Sequence, residues 1–190
     1  MTAAALVIEN QAAFRAVMDC MAHPGEIKAL AGVDAPPPLT AGTAAIVRSL
    51  VDYETPVWLD DGLADAAVAE WIRFQTGAAT VGDSQQAAFA LIGNGAGLPD
   101  FAAFSPGSEE YPDRSATLVV QVARFSGAKF SLTGPGIQTE RVLAAEPLPE
   151  DFAERWAANQ ALFPCGIDLL LVAGDRVAAL PRTVRVARRN

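Results

Sequence analysis

An aspartate and an arginine near the end of the chain are the residue types best suited to hold a charge together. Asp168 lies in Phe163-Pro164-Cys165-Gly166-Ile167-Asp168-Leu169-Leu170-Leu171-Val172, and Arg182 in Val177-Ala178-Ala179-Leu180-Pro181-Arg182-Thr183. Gly174-Asp175-Arg176 stands between them. The pattern predicts a strand, a turn and a return strand. With those three residues as the loop, Ala173 faces Val177 and Asp168 comes opposite Arg182. Such a pair has two readings. One is an ion pair that pins the hairpin, worth little where exposed. The other is a guanidinium steadied by its acid to receive a phosphate or phosphonate, with Thr183 beside it. Pro181 cannot donate to a ladder, which puts Arg182 where the sheet opens.

Other residues invite chemistry more weakly. In Gly134-Pro135-Gly136-Ile137 the amides of Gly134 and Gly136 could form a small anion nest, although Pro135 removes one donor; a structural turn is the plainer reading. Asp52 and Glu54 are two apart where a helix yields to a strand. Extended, they point the same way and suit a cation or an acid/base pair; as turn formers they need no ligand. Gly93-Asn94-Gly95-Ala96-Gly97 follows a strand, but Leu98 stands where a dinucleotide fingerprint needs its third glycine, so it reads as a loop. His23, before Pro24-Gly25, has no nucleophile or acid arranged around it and reads as a helix end. Lys28 and Lys129, the two lysines, lack the Ser/Thr/Gly setting of a pyridoxal-phosphate cup. Cys20 and Cys165 are the two cysteines, without a CxxC, and with a single histidine a closed zinc site is not expected. They read as free thiols.

These residues must be positioned by helices and short strands. Phe14, Val17, Met18 and Met21 predict an amphipathic helix over 10–22. Glu26 to Leu30 reads as a strand, 41–52 as a helix capped by Thr40, and Val57-Trp58-Leu59 as a buried strand. Residues 62–75 read as a helix with Ala67, Trp71 and Phe74 on one side, and 87–92 as a strand. Residues 93–115, rich in Gly, Pro, Ser and charge, read as a long excursion. Ala116–Phe125 reads as a strand that Ser126-Gly127 turns into a second, Lys129–Thr133. Residues 150–162 read as a helix with Phe152 and Trp156 inward. Helices alternating with short strands, and hairpins in the second half, predict an α/β fold with a mixed sheet and flanking helices over 1–190, without an internal repeat or linker.

Composition narrows the function. The chain has 190 residues, 51% hydrophobic, and a net charge of −8. That charge argues against a general nucleic-acid binder, which needs a basic stripe. Arg176, Arg182, Arg185, Arg188 and Arg189 are a local exception; the last two read as a solvated tail. No run approaches a membrane span, and the N-terminus lacks a basic signal-peptide region, so a cytoplasmic protein is expected.

Taken in order, several blocks resemble one family, the H subunit (PhnH) of the carbon–phosphorus lyase system of bacterial phosphonate catabolism. They are Phe14-Arg15 with Met21-Ala22-His23-Pro24-Gly25, then Leu50-Val51-Asp52 with Thr55-Pro56-Val57-Trp58-Leu59 and Ala116-Thr117-Leu118. Leu132-Thr133-Gly134-Pro135-Gly136-Ile137, Phe163–Leu169 and Leu180-Pro181-Arg182-Thr183 complete the match. The resemblance implies a reduced pyridoxal-phosphate-dependent transferase fold without the cofactor. It implies self-association as a homodimer and assembly with G, I and J subunits. It further implies an accessory part in displacing adenine from ATP by a phosphonate, giving ribose 1-phosphonate 5-triphosphate, with no activity alone. It supplies no catalytic residue. On physical grounds the candidate site is a cleft edged by Asp168, Arg182, Thr183 and the Gly134–Gly136 turn, with Asp52 and Glu54, for a phosphonate or nucleotide. No metal site is expected. The competing reading is a stand-alone transferase acting on phosphate or phosphonate substrates from the same cleft.

Overall fold

The computed structural model describes residues 3–189. The elements follow the hydrophobic pattern closely. Helix α1 spans Ala3–Ala22, α2 Ala41–Leu50, α3 Ala66–Thr76 and α4 Phe152–Gln160. Thr40 caps α2 with its hydroxyl, and Asp65 caps α3. The strands are β1 Lys28–Ala29, β2 Val57–Leu59, β3 Thr80–Val81, β4 Phe89–Ile92, β5 Thr117–Gln121, β6 Arg124–Thr133, β7 Arg141–Glu146, β8 Asp168–Ala173, β9 Arg176–Leu180 and β10 Arg185–Arg189.

Among the described residues, seven strands form one sheet in the order β1-β9-β8-β5-β4-β2-β3, and three form another, β10-β6-β7. Strands β3, β2, β4, β5 and β8 run parallel, while β9 and β1 close one edge antiparallel. The mixed sheet expected from the sequence is present. Its central strands are buried on both faces, so they read as continuous apolar runs. Period-two alternation still sorts them. Leu118, Val120, Leu169, Leu171, Ala178 and Leu180 face one core; Val119, Leu170, Val172, Val177 and Ala179 face the other. The second core is covered by α1, α2 and α3 through Ala13, Val17, Ile46, Val47, Val68 and Ile72. The first is covered by α4 and the small sheet, with Phe130, Leu132, Leu143, Phe152 and Trp156 packed together. Phe152 and Trp156 face inward as expected, and the Trp156 indole donates to the Val184 carbonyl at 2.8 Å.

Several expectations need correction. The terminal loop has two residues, not three: Ala173 pairs with Arg176 and Leu169 with Leu180. Gly174 takes φ +61°, which suits the first central position of a two-residue turn matched to strand twist. The register therefore shifts by one, and Asp168 lies level with Pro181. Ser126-Gly127 does not separate two strands. It lies inside β6 at an irregularity of the β6–β7 pairing, and the chain leaves the large sheet earlier, after Gln121. Helix α1 begins far ahead of residue 10, and Phe14 and Met18 lie on its exposed face. Helix α3 buries Val68 and Ile72, while Phe74 is exposed. The excursion 93–115 contributes Leu98, Phe101 and Phe104 to the first core. Arg188 and Arg189 are solvated as expected, but they belong to β10 rather than to a tail.

Candidate functional site

The parallel strands give the large sheet two unlike ends, and Asp168, Asp52 and Glu54 lie at the amino end, at separate strands. Asp168 opens β8, level with Thr117 of β5. The side chains of Asp168 and Arg182 meet although their strand positions do not. The guanidinium contacts Asp168 through Nη2–Oδ2 at 2.5 Å and Nε–Oδ1 at 3.2 Å, and the Arg182 backbone N–H donates to Oδ1 at 2.8 Å. Nη1 donates to the carbonyls of Pro112 and Pro164, and Nη2 also reaches the Ser115 hydroxyl. An arginine has five N–H donors, and here each has an acceptor. An oxyanion would have to displace one of them. The geometry is that of a staple joining the β8–β9 end, the 112–115 turn and the 163–166 loop.

Gly134 and Thr183 do come together: a Cβ on Gly134 would lie 3.1 Å from the Thr183 carbonyl. Gly136, at φ +80°, presses on the end of α1, where a Cβ would meet the Ala22 carbonyl at 2.1 Å. Ile137 N–H donates back to the Gly134 carbonyl at 3.1 Å, closing a turn with Pro135 and Gly136 at the two positions that favour them. The glycines are explained by this packing. Asp52 and Glu54 are not extended. The Asp52 carboxylate accepts from Glu54 N–H at 3.0 Å and Thr55 hydroxyl at 2.6 Å, and these bonds hold its pKa below the ordinary carboxylate value. Both precede β2, which is separated from β8 by β4 and β5, a spread of roughly 14 Å across three interstrand spacings. The structure therefore does not bring Asp52 and Glu54 into one cleft with Asp168 and Arg182.

A crevice that the sequence reading missed lies at the opposite, carboxyl end. After β2 the chain turns to α3 on one face; after β4 it turns to the 93–115 segment on the other. Such a parting of neighbouring strands is where open α/β sheets take ligands. Here Trp58, Asp60, Asp61, Gly62, Asn94, Gly97 and Pro99 line a crevice of about 390 Å³. Asn94 also borders a neighbouring hollow of about 410 Å³, which reaches Thr40 at the start of α2 and Gln121 at the end of β5.

The walls are held by partly buried hydrogen bonds. Gln121 accepts from Thr40 N–H at 2.6 Å and donates to the carbonyls of Pro38 and Gly93. Asp60 accepts from the N–H groups of Leu63 and Gly93 at 3.0 and 2.9 Å. Burial raises the Asp60 pKa, with those bonds opposing. Asp61 and Asn94 are exposed and give the crevice hydrogen-bonding side chains. The signal for it was present in Gly93–Gly97 after a strand, but no glycine motif marks a crevice built from two separate loops.

His23 is exposed at the end of α1 and its ring contacts the Asp19 carbonyl. Lys28 pairs with Glu26 at 3.0 Å, and Lys129 lies on β6 in the small sheet. Neither lysine borders the crevice, so these residues do not fit a pyridoxal-phosphate site there. Both cysteines are free, and Cys20 is buried. Among the described residues, no group of three His, Cys, Asp or Glu side chains is placed to hold a metal ion, and no helix is long and apolar enough to cross a membrane.

Comparison with known proteins decides the family. The model of the bacterial phosphonate metabolism protein PhnH matches residues 3–187. The chain belongs to the PhnH family. It is 44% identical over 184 residues to "Alpha-D-ribose 1-methylphosphonate 5-triphosphate synthase subunit PhnH" of Rhizobium meliloti (strain 1021), covering 96% of this chain and 92% of that one. It is also 34% identical over 179 residues to "Putative C-P lyase subunit protein HtxG" of Stutzerimonas stutzeri, covering 93% of this chain and 85% of that protein. The PhnH match spans both sheets, the staple and the crevice, so all of these are features of a PhnH chain.

Proposed function

We propose that this chain is an accessory subunit of a carbon–phosphorus lyase complex. It takes part in making ribose 1-phosphonate 5-triphosphate from ATP and a phosphonate, and is inactive alone. In that step a phosphonate oxygen bonds to ribose C1 as the bond from C1 to adenine breaks; adenine leaves with the electron pair and takes up a proton. The observation that carries the reading is the near-full-length likeness to a synthase subunit. The chain's partners in this reading are the G, I and J subunits and a second copy of itself, in the cytoplasm. Its architecture is that of a pyridoxal-phosphate transferase fold reduced in size and used without the cofactor.

Ligand contact is assigned to the carboxyl-end crevice rather than to the Asp168–Arg182 staple. Asp61 offers a carboxylate and Asn94 an amide, which suit the hydroxyl and amino donors of a nucleoside. The test is co-expression with the G, I and J subunits, followed by pull-down and an assay of adenine release. The expected result is one complex that releases adenine only when all subunits are present. A chain that purifies alone under those conditions refutes the reading. In the same assay, Asp61→Ala/Asn94→Ala should assemble normally and release adenine more slowly; unchanged release removes the crevice assignment alone.

A further inference from the structure

The arginine cluster near the end of the chain is only partly absorbed by the staple. Arg182 belongs to the staple, Arg176 lies over the Phe125 ring at 5.5 Å, and Arg188 donates to the Glu150 carbonyl at 3.1 Å. Arg185 and Arg189 remain, both on β10. Alternation sorts the small sheet as it sorts the large one. Val186, Phe130, Leu132, Leu143 and Ala145 face the first core. Arg185, Ala187 and Arg189 of β10 and Lys129, Ser131 and Thr133 of β6 therefore face outward.

The register turns these six residues into a track. Arg185 is paired with Thr133, Ala187 with Ser131, and Arg189 with Lys129. Two cations stand at one end, a third at the other, and two hydroxyls lie between them. The ends are four residues apart, about 13 Å along the strands. Among the described residues, the side chains of Lys129, Arg185, Ser131 and Thr133 have no hydrogen-bond or ion-pair partner. Arg189 meets Glu140 at 3.2 Å, in a pair half open to water and therefore weak. Lys129 and Arg189 are like charges placed directly opposite each other, which destabilises a sheet when nothing neutralises them. The chain carries a net charge of −8, yet these cations are left without matching carboxylates.

We propose that this outer face binds a short polyphosphate, laid along β6 with its ends at the two cationic sites. Guanidinium and ammonium heads suit phosphate oxygens, and the hydroxyls of Ser131 and Thr133 donate to the middle of the chain. Ala187, opposite Ser131, leaves that middle open. The long stems of Lys129, Arg185 and Arg189 let their heads converge on a ligand shorter than the track.

The alternatives fit less well. A protein interface has an apolar centre with aromatic anchors, and the outward positions here carry no aromatic ring. Single-stranded nucleic acid needs such rings to stack its bases and a longer basic groove. None of the track residues borders the crevice, so the inference stands apart from the ligand assigned there.

The test is calorimetric titration of the full-length chain at about 0.15 M salt, where distant charges are screened. Inorganic tripolyphosphate should bind at least about tenfold more tightly than orthophosphate, because it reaches both ends. Backbone amide shifts should move at Ser131, Thr133 and Ala187. Lys129→Gln/Arg185→Gln should keep the circular dichroism of the parent and bind tripolyphosphate about 100-fold more weakly. ATP that binds as tightly as tripolyphosphate identifies the tail of a nucleotide as the ligand, and ATP that binds more weakly identifies the free chain; either supports the track. A parent that does not bind tripolyphosphate overturns the proposal. So does a double variant that binds it unchanged, which would place the anion elsewhere, or a tetraglutamate peptide that binds more tightly than the phosphate chain. The crevice is tested separately by adenine release, so the two assignments fail independently.

Discussion

Replacing Arg182 by alanine asks whether the terminal acid and base are a staple or a receptor. The two side chains are 14% and 15% exposed, so the pair is largely withdrawn from water. Removing one partner of a buried pair costs about 3–5 kcal/mol, because the other charge is left without compensation. Two features place this case toward the lower end. The residual exposure lets water reach Asp168, and the backbone N–H at position 182 still donates to Oδ1. Against that, the carbonyls of Pro112 and Pro164 and the Ser115 hydroxyl lose their donor.

A loss of about 3 kcal/mol is expected, read as a fall in Tm of roughly 6–12 °C for a chain of this size. Arg182→Lys should recover part of it, since the charge returns but the fork does not. Thermal melts by circular dichroism give the shift, and a pull-down with the other subunits gives assembly. Arg182→Ala with a Tm within about 2 °C of the parent and a failed pull-down would refute the staple and show that the guanidinium acts at a contact surface.

Two further outcomes follow from the buried groups. Cys20 is fully buried and its thiol is pushed up to about 11, mainly by burial. A thiol reagent at neutral pH should therefore modify Cys165 alone in the folded chain and both cysteines after denaturation; rapid labelling of Cys20 in the folded state would contradict the packing of α1 on β9. Asp60 is held above its ordinary value by burial. For a group whose folded pKa is raised, the stabilising contribution is complete below the unfolded pKa and is lost as pH rises through the folded one. Asp60→Asn cannot titrate, so its stability relative to the parent should rise from acid toward neutral pH; a difference that stays flat across that range in urea titrations would show that Asp60 does not sense burial.

The elements were legible where local pattern and packing agree. Thr40 ahead of residues 41–52, the Val57–Leu59 run and Phe152 with Trp156 announced themselves by caps and periodicity. The register failed on one residue, because Gly174-Asp175 is already a complete turn and Arg176 belongs to the return strand. The faces of α1 and α3 were misread for a physical reason. Apolar residues surround much of α1, so spacing alone does not say which stripe meets the sheet, and Phe74 is large but exposed. The staple could be anticipated as a pair, but its saturation depends on carbonyls of Pro112 and Pro164 that no sequence pattern marks. The crevice depended on topology. Asp60, Asn94 and Gln121 are far apart in the chain and become neighbours only once strand order is known.

The pairing of β1 with β9 gives the fold a late closure. Cys20 on α1 donates to the carbonyl of Val177, 157 residues further along the chain, and Lys28 and Ala29 add their short strand to β9. Helix α1 thus finds its seat only after β9 has been made. Contacts this distant in sequence form slowly, since a long loop must close before they are rewarded. During synthesis α1 leaves the ribosome well before β9, with its apolar inner face uncovered. The inner face waits for β9 of its own chain. A chain truncated before β9 would keep the inner face of α1 as an unsatisfied, aggregation-prone surface.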